Sequence, residues 1–385
     1  MGLLEQTLPF LGHVSALWKY GIPFLVLLTP LVFVHELGHY LIARRNGVRV
    51  EVFSIGFGSE IYGWTGKSGT RWKISAIPFG GYVKMFGENR DPASGQKLPP
   101  EDQAVAFHTK TVGQRAAIVF AGPAANFLFA LVALAILFAT AGQPFTPADV
   151  NEVVPGSAAE RAGIKSGDAI VAIDGTRIER FEQIQRIVQL APGRPLVFTI
   201  MRDGRQISLD TVPEPVERVD RFGNTQRIGM LGISRPTGDM IVVRHDPFSA
   251  VWRAGKETVS LSVNILDALW QIISGTRTAK ELGGPLRIAQ MSGDVWELGF
   301  VNMVMFAVLL SINLGMLNLF PIPMLDGGHL LFYAVEGLRG RPMGERAQDY
   351  GFRVGLALVL SLMLFATWND LVQLRVVEFL KNLVS

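Results

Sequence analysis

The chain has 385 residues, 49% of them hydrophobic and only 18% charged, against roughly 25% charged in soluble domains. That shortfall excludes a disordered chain and argues against an ordinary soluble enzyme. The net charge of +3 is too slight for the basic face of a nucleic-acid binder, so no nucleic-acid partner is expected. The absence of cysteine removes disulfides, thiol catalysis and thiolate metal sites together, so any metal must be held by His, Asp or Glu.

In chain order, residues 21–43 form a first apolar stretch, broken only by His35, Glu36 and His39 and closed by Arg44 and Arg45. With no basic leader and with ionisable groups inside it, it reads as a retained membrane helix, not a signal peptide. Residues 50–86 alternate and are rich in Gly and aromatics, which predicts β-hairpins. They are too apolar for a free loop, so they are expected to dip into the cytoplasmic membrane edge, buried against the bundle or lining a wet cavity. Residues 116–141 carry no charge and supply a second membrane helix.

Residues 149–235 differ, with twelve basic and twelve acidic side chains. Short β-rich runs at 169–173 and 196–201, hairpin signals at Asp174-Gly175 and Asp203-Gly204, and helical spacing over 182–190 mark a folded β-rich domain. Residues 248–296 have apolar positions at helical spacing with a few charges, as expected of amphipathic helices on the outer interface of the lipid bilayer. The uncharged stretch 298–325 and the run 354–369 with its flanks complete four transmembrane helices. Expected boundaries are 1–141, 142–245, 246–296 and 297–385. The fold class is an α-helical polytopic membrane protein with membrane-associated β-hairpins and an inserted β-rich domain. Arg44, Arg45, Arg49, Arg115, Arg339, Arg341 and Arg346 lie next to helix ends, which makes those ends cytoplasmic and puts the inserted domain outside.

Ionisable groups at bilayer depth cost about 2.5–3.5 kcal/mol each and imply function. His35, Glu36 and His39 form H-E-x-x-H: four-residue spacing puts two imidazoles on one helical face for one Zn²⁺, with the Glu between them able to act on water. A third protein ligand is needed. Asp326 is the best candidate, since Pro321 and Pro323 break the third helix and Gly327-Gly328 allow a tight turn that can aim its carboxylate. The alternative is that Asp326 merely N-caps a helix over 327–337. His329 is a weaker ligand candidate. Asn126, polar at depth after Gly122-Pro123, reads as an interhelical hydrogen-bonding residue. A transporter would also carry buried charges and broken helices but should show inverted repeats, which are not found among four helices.

The motif at 35–39, the run N318-x-x-P-x-P-x-L-D-G-G328 and the inserted domain together resemble the site-2 protease family of intramembrane zinc metalloproteases. Further similarity lies in FSIGFG at 53–58, IPFGGYVKM at 77–85, VGQRAA at 112–117, AGPAAN at 121–126 and LGGP at 282–285. Residues 153–175 are similar to a bacterial PDZ domain. The resemblance implies a protease with one zinc held by His35, His39 and Asp326, and with Glu36 as acid/base. It implies that Asn318 holds substrate backbone, that Pro321 and Pro323 shape the broken helix, and that the 53–86 strands, with Gly80, Gly81 and Tyr82 on their edge, receive the unwound substrate as an added strand. Substrates implied are single-pass membrane proteins, chiefly anti-sigma factors already shortened outside and sometimes remnant signal peptides, cut near the cytoplasmic side of a bacterial inner membrane. The periplasmic PDZ-like domain is expected either to bind a substrate carboxyl terminus or to act as a size filter. One departure stands out: enterobacterial members resembling this chain carry two tandem PDZ domains, and 142–245 has room for one.

Overall fold

The computed structural model describes residues 17–88, 99–219, 225–234, 241–275 and 283–373. Parts of the expected membrane halves and of the interfacial segment, including Leu282, lie outside the described residues. The chain divides into two compact units, Met1–Leu137 with Pro247–Ser385, and Phe138–Asp246.

In the first unit, helix α1 (Ile22–Arg45) begins with Pro23 in its first turn, where a missing N–H costs nothing. It ends with Arg44 and Arg45 on the negative pole of the helix dipole, followed by Gly47 at φ +69°. Strands β1 (Val50–Thr65) and β2 (Arg71–Met85) follow. They pair antiparallel as the expected hairpin, with a register more irregular than alternation alone suggests. Residues 52–55 pair with 81–84 on one side and 71–74 on the other, while 60–65 pair back onto 71–75. Positive φ at Gly56 and Gly58 lets β1 fold over itself. Four short segments result, in the order 81–85, 50–57, 71–75, 60–65. Among the described residues, no strand pairs with the outer edge of 81–85. Phe53, fully buried and stacked on Trp72 at 4.3 Å, fixes this sheet against Ala43, Val48 and Ile118.

Helix α2 is Val112–Thr140. The second unit then contains a four-stranded antiparallel sheet in which Ala169–Ile173 (β3) lies between Thr176–Arg177 (β4) and Leu196–Arg202 (β5), with Arg205–Thr211 (β6) on β5. Asp174-Gly175 and Asp203-Gly204 have left-handed φ at both positions, the backbone of two-residue hairpin turns. Helix α3 (Phe181–Gln189) covers a core of Ile170, Ile173, Phe198 and Ile200. Asp168, 1% exposed, receives two 2.7 Å bonds from Arg202 and one from the Lys165 backbone. Burial pushes its carboxyl up, but these donors outweigh that and hold it below the usual carboxylate range.

Back in the first unit, Pro247–Ile273 (α4) and Pro285–Glu297 (α5) are the two helices of the expected amphipathic segment. Asp370, 1% exposed, accepts bonds from the N–H groups of Gly284 (2.8 Å) and Arg287 (3.1 Å), so the Gly283-Gly284-Pro285 turn is capped by a carboxylate remote in sequence. Helices α6 (Phe300–Leu319), α7 (Asp326–Arg339) and α8 (Glu345–Gln373) complete the chain. Among the described residues, four helices, Trp18–Arg45, Val112–Thr140, Phe300–Leu319 and Arg346–Val372, are long and apolar enough to cross a membrane. The shortest, at 20 residues, matches a hydrocarbon core of about 30 Å.

Candidate metal centre

His35 and His39 stand one turn apart on α1, both buried, with ring centroids 4.9 Å apart and nearly perpendicular planes. Their Nε2 atoms lie 3.3 Å from each other. Asp326 Oδ2 completes a triangle, 3.2 Å from His35 Nε2 and 3.5 Å from His39 Nε2.

Asp326 arrives there because the chain cannot stay helical across Pro321 and Pro323. α6 stops at Leu319, and α7 starts at Asp326 after a short turn. The turn's left-handed residue is Met324 at φ +94°, a strained value for a side-chain-bearing residue. The glycine pair therefore works differently from the expectation: neither Gly327 nor Gly328 has positive φ. A Cβ on Gly327 would sit 2.2 Å from the Phe320 carbonyl oxygen, and one on Gly328 2.4 Å from that of Ile322, so both are needed for close approach of α7 to the turn. Nor does Asp326 cap α7. It is the helix's first residue, the cap is Leu325 without a side-chain bond, and Asp326 Oδ2 has no hydrogen-bond partner.

One face of α2 backs both imidazoles at positions 118, 122 and 126. The Ile118 carbonyl lies 2.9 Å from His39 Nδ1. A Cβ on Gly122 would fall 2.2 Å from His39 Nε2, and one on Gly38 of α1 would fall 2.2 Å from the Ala121 carbonyl oxygen. Asn126, fully buried, places its side-chain amide 3.2 Å from His35 Nδ1. Arg115, at the start of the same helix, reaches α7 through a 2.6 Å bond to Glu336. Sequence reasoning missed Ile118 and Gly122 as neighbours of the site. The only signal for them was the run of small residues around Pro123, which permits close helix approach.

A Cβ on Gly81 would lie 3.1 Å from Glu36 Cγ and 3.0 Å from Val32, so the edge segment 81–85 of β2 runs beside Glu36. Gly80 has φ +97°, and Tyr82 stacks on Phe57. Asn318 sits half-buried in the last turn of α6, with Pro321 exposed and Pro323 half-buried just beyond. His329 is outside the donor triangle; its ring packs against Phe352 at 5.3 Å.

The triangle fits zinc on its own dimensions. Tetrahedral coordination with bonds of about 2.0–2.1 Å sets donor atoms about 3.3–3.4 Å apart, and the three separations here are 3.2, 3.3 and 3.5 Å. The buried carboxylate oxygen that lacks a partner fits the same conclusion. The sequence signature of peptidase family M50 matches residues 23–362. The chain belongs to peptidase family M50.

Curated relatives of this M50 peptidase align over almost their whole lengths. "Putative zinc metalloprotease R01501" of Rhizobium meliloti is 46% identical, covering 92% of this chain and 96% of the relative. Metalloprotease MmpA of Caulobacter vibrioides is 37% identical, covering 94% and 100%. Protease RseP of Yersinia pestis is 34% identical, covering 92% and 99%. That last alignment runs over 455 positions although this M50 chain has only 385 residues, so the Yersinia protein holds additional segments. M50 is a zinc-dependent family, and this member is a membrane metalloprotease whose described residues include a His-His-Asp cluster.

Proposed function

We propose that His35, His39 and Asp326 hold the single zinc, that Glu36 is the acid/base, and that the protein cleaves single-pass membrane proteins within the bilayer. The observation that carries this reading is the donor triangle assembled beside an open strand edge. When bound, zinc supplies a water acidified towards neutrality and a Lewis acid for the scissile carbonyl. Glu36 receives the proton of the attacking water on its carboxylate and delivers it to the departing amine.

A helical substrate keeps its carbonyls in i to i−4 bonds and must unwind to be cut. The outer edge of residues 81–85 compensates by offering strand hydrogen bonds, and Gly81, lacking a side chain, brings that strand next to Glu36. Asn318 adds an amide for substrate backbone, and Pro321 and Pro323 keep α6 from closing over the site. The basic residues near the helix ends support a site towards the cytoplasm, with Phe138–Asp246 on the periplasmic side of an inner membrane. Substrates of this shape include anti-sigma factors trimmed outside and remnant signal peptides.

In the second unit, α3 and residues 228–233 border a cleft of about 240 Å³ lined by Phe181, Ile184, Val188, Met230, Leu231 and Ile233. An open apolar cleft of this kind favours docking of a trimmed substrate's carboxyl terminus over simple exclusion by size. Reconstituted cleavage of a truncated single-pass substrate tests the chemistry: Glu36→Gln should retain zinc and lose about 10²–10⁴-fold in rate, and equal activity would refute the assigned base. Deleting residues 149–235 tests the docking role. Loss of cleavage is expected, whereas new cleavage of full-length substrates would establish a filter instead.

A further inference from the structure

We infer that Asn126 is a positioning residue: its carboxamide oxygen accepts the Nδ1 proton of His35 and thereby fixes the ring tautomer that leaves Nε2 free for the metal. The inference rests on His35 being a zinc ligand. As placed, the amide nitrogen of Asn126 lies 3.2 Å from His35 Nδ1, while Asn126 Oδ1 is buried with no hydrogen-bond partner. Donation from that nitrogen requires a lone pair on Nδ1, which puts the ring proton on Nε2. Nε2 is the atom that faces His39 and Asp326 at 3.3 and 3.2 Å, and a protonated Nε2 cannot coordinate.

Rotating the amide by half a turn exchanges two groups of nearly identical shape. The oxygen then gains a donor, Nδ1 carries the proton, and Nε2 presents its lone pair to the other two donors. His39 already has this arrangement, with its Nδ1 2.9 Å from the carbonyl oxygen of Ile118. The two imidazoles are thus oriented by one helix face, nine residues from end to end. One uses a backbone acceptor that no substitution removes, the other a side chain that substitution can. Asn126 itself is clamped: its carbonyl accepts from the Ser311 hydroxyl at 2.9 Å, and Gly315 of α6 has no side chain where a Cβ would press on Asn126 Cβ at 3.3 Å.

The test is zinc affinity of the full-length protein, by competition with a chromophoric chelator, together with the melting temperature of the metal-free form. Asn126→Leu, close in shape but unable to accept, should lose about 10–100-fold in affinity with little change in apo melting. Asn126→Asp, which can only accept, should bind zinc at least as tightly as the native chain. A packing role predicts the reverse order, because Leu fills the space and Asp buries a charge. The inference is overturned by an Asn126→Leu protein within about threefold of native affinity, or by an Asn126→Asp protein that loses as much as Leu. If the Leu protein does not fold, the Asp protein decides alone. His35→Ala separates the two levels: undiminished zinc there sinks the ligand assignment, while zinc lost there but kept in Asn126→Leu sinks only the role of Asn126.

Discussion

Gly122→Ala adds one methyl group, and the structure says where it must go. The new Cβ would lie 2.2 Å from His39 Nε2 and 2.5 Å from Cε1. Ordinary contact begins at about 3.4 Å, so the imidazole must retreat by about 1.2 Å, six times the tolerance of about 0.2 Å on a metal–ligand distance. The ring has nowhere easy to move, because its Nδ1 is bonded to Ile118 on the same helix. Separating the helices instead is opposed at Gly38, which lies directly against Ala121. Alanine is a better helix former than glycine by about 1 kcal/mol, so lost helicity cannot be blamed for the outcome. The expected result is a folded protein with much reduced zinc, measured by atomic emission, and cleavage slowed by about 10²-fold or more, the usual cost of a 1 Å misplacement. Full zinc content with turnover within about threefold of native would refute the placement of Gly122 behind His39.

Gly81→Ala should keep zinc but slow cleavage about 10-fold, because its Cβ would fall 2.7 Å from the Ser54 carbonyl oxygen and 3.1 Å from Glu36 Cγ; unchanged turnover would remove this edge from the site. Arg202→Leu should destabilise the second unit by about 3 kcal/mol, since it leaves the buried Asp168 carboxylate without its partner, as read by hydrogen exchange over residues 138–246 in the full-length protein. Because Asp168 is held below the usual carboxylate range, its contribution is complete above about pH 4, the ordinary Asp value, and is lost as pH falls through the lower folded-state value. Asp168→Asn should abolish that acid-side loss, and an unaltered acid profile would contradict the assignment.

Chemistry was easier to read from the sequence than geometry. His35, Glu36 and His39 announce themselves because charge in an apolar run has a cost that only function or pairing offsets. Asp326 was legible as a carboxylate beside a proline break, but whether it capped α7 or faced α1 was not, since both uses leave the same residue at the same position. The turns at Asp174-Gly175 and Asp203-Gly204 were legible because left-handed backbone selects few residues. The folding of β1 onto itself was not: alternation over 50–65 looks the same in one long strand as in two short ones, and only the pairing of 52–55 on both sides separates them. The cap that Asp370 places on α5 was equally hidden, because no periodicity links a carboxylate near the chain's end to a turn at Gly284.

Two of the three donors reside on the first long helix and the third on the seventh, beyond the whole of the second unit. A ribosome delivers them in that order. Until α7 has been synthesised, the nascent polypeptide holds the two imidazoles without the Asp326 carboxylate, so the three-donor site proposed above is incomplete until most of the chain exists.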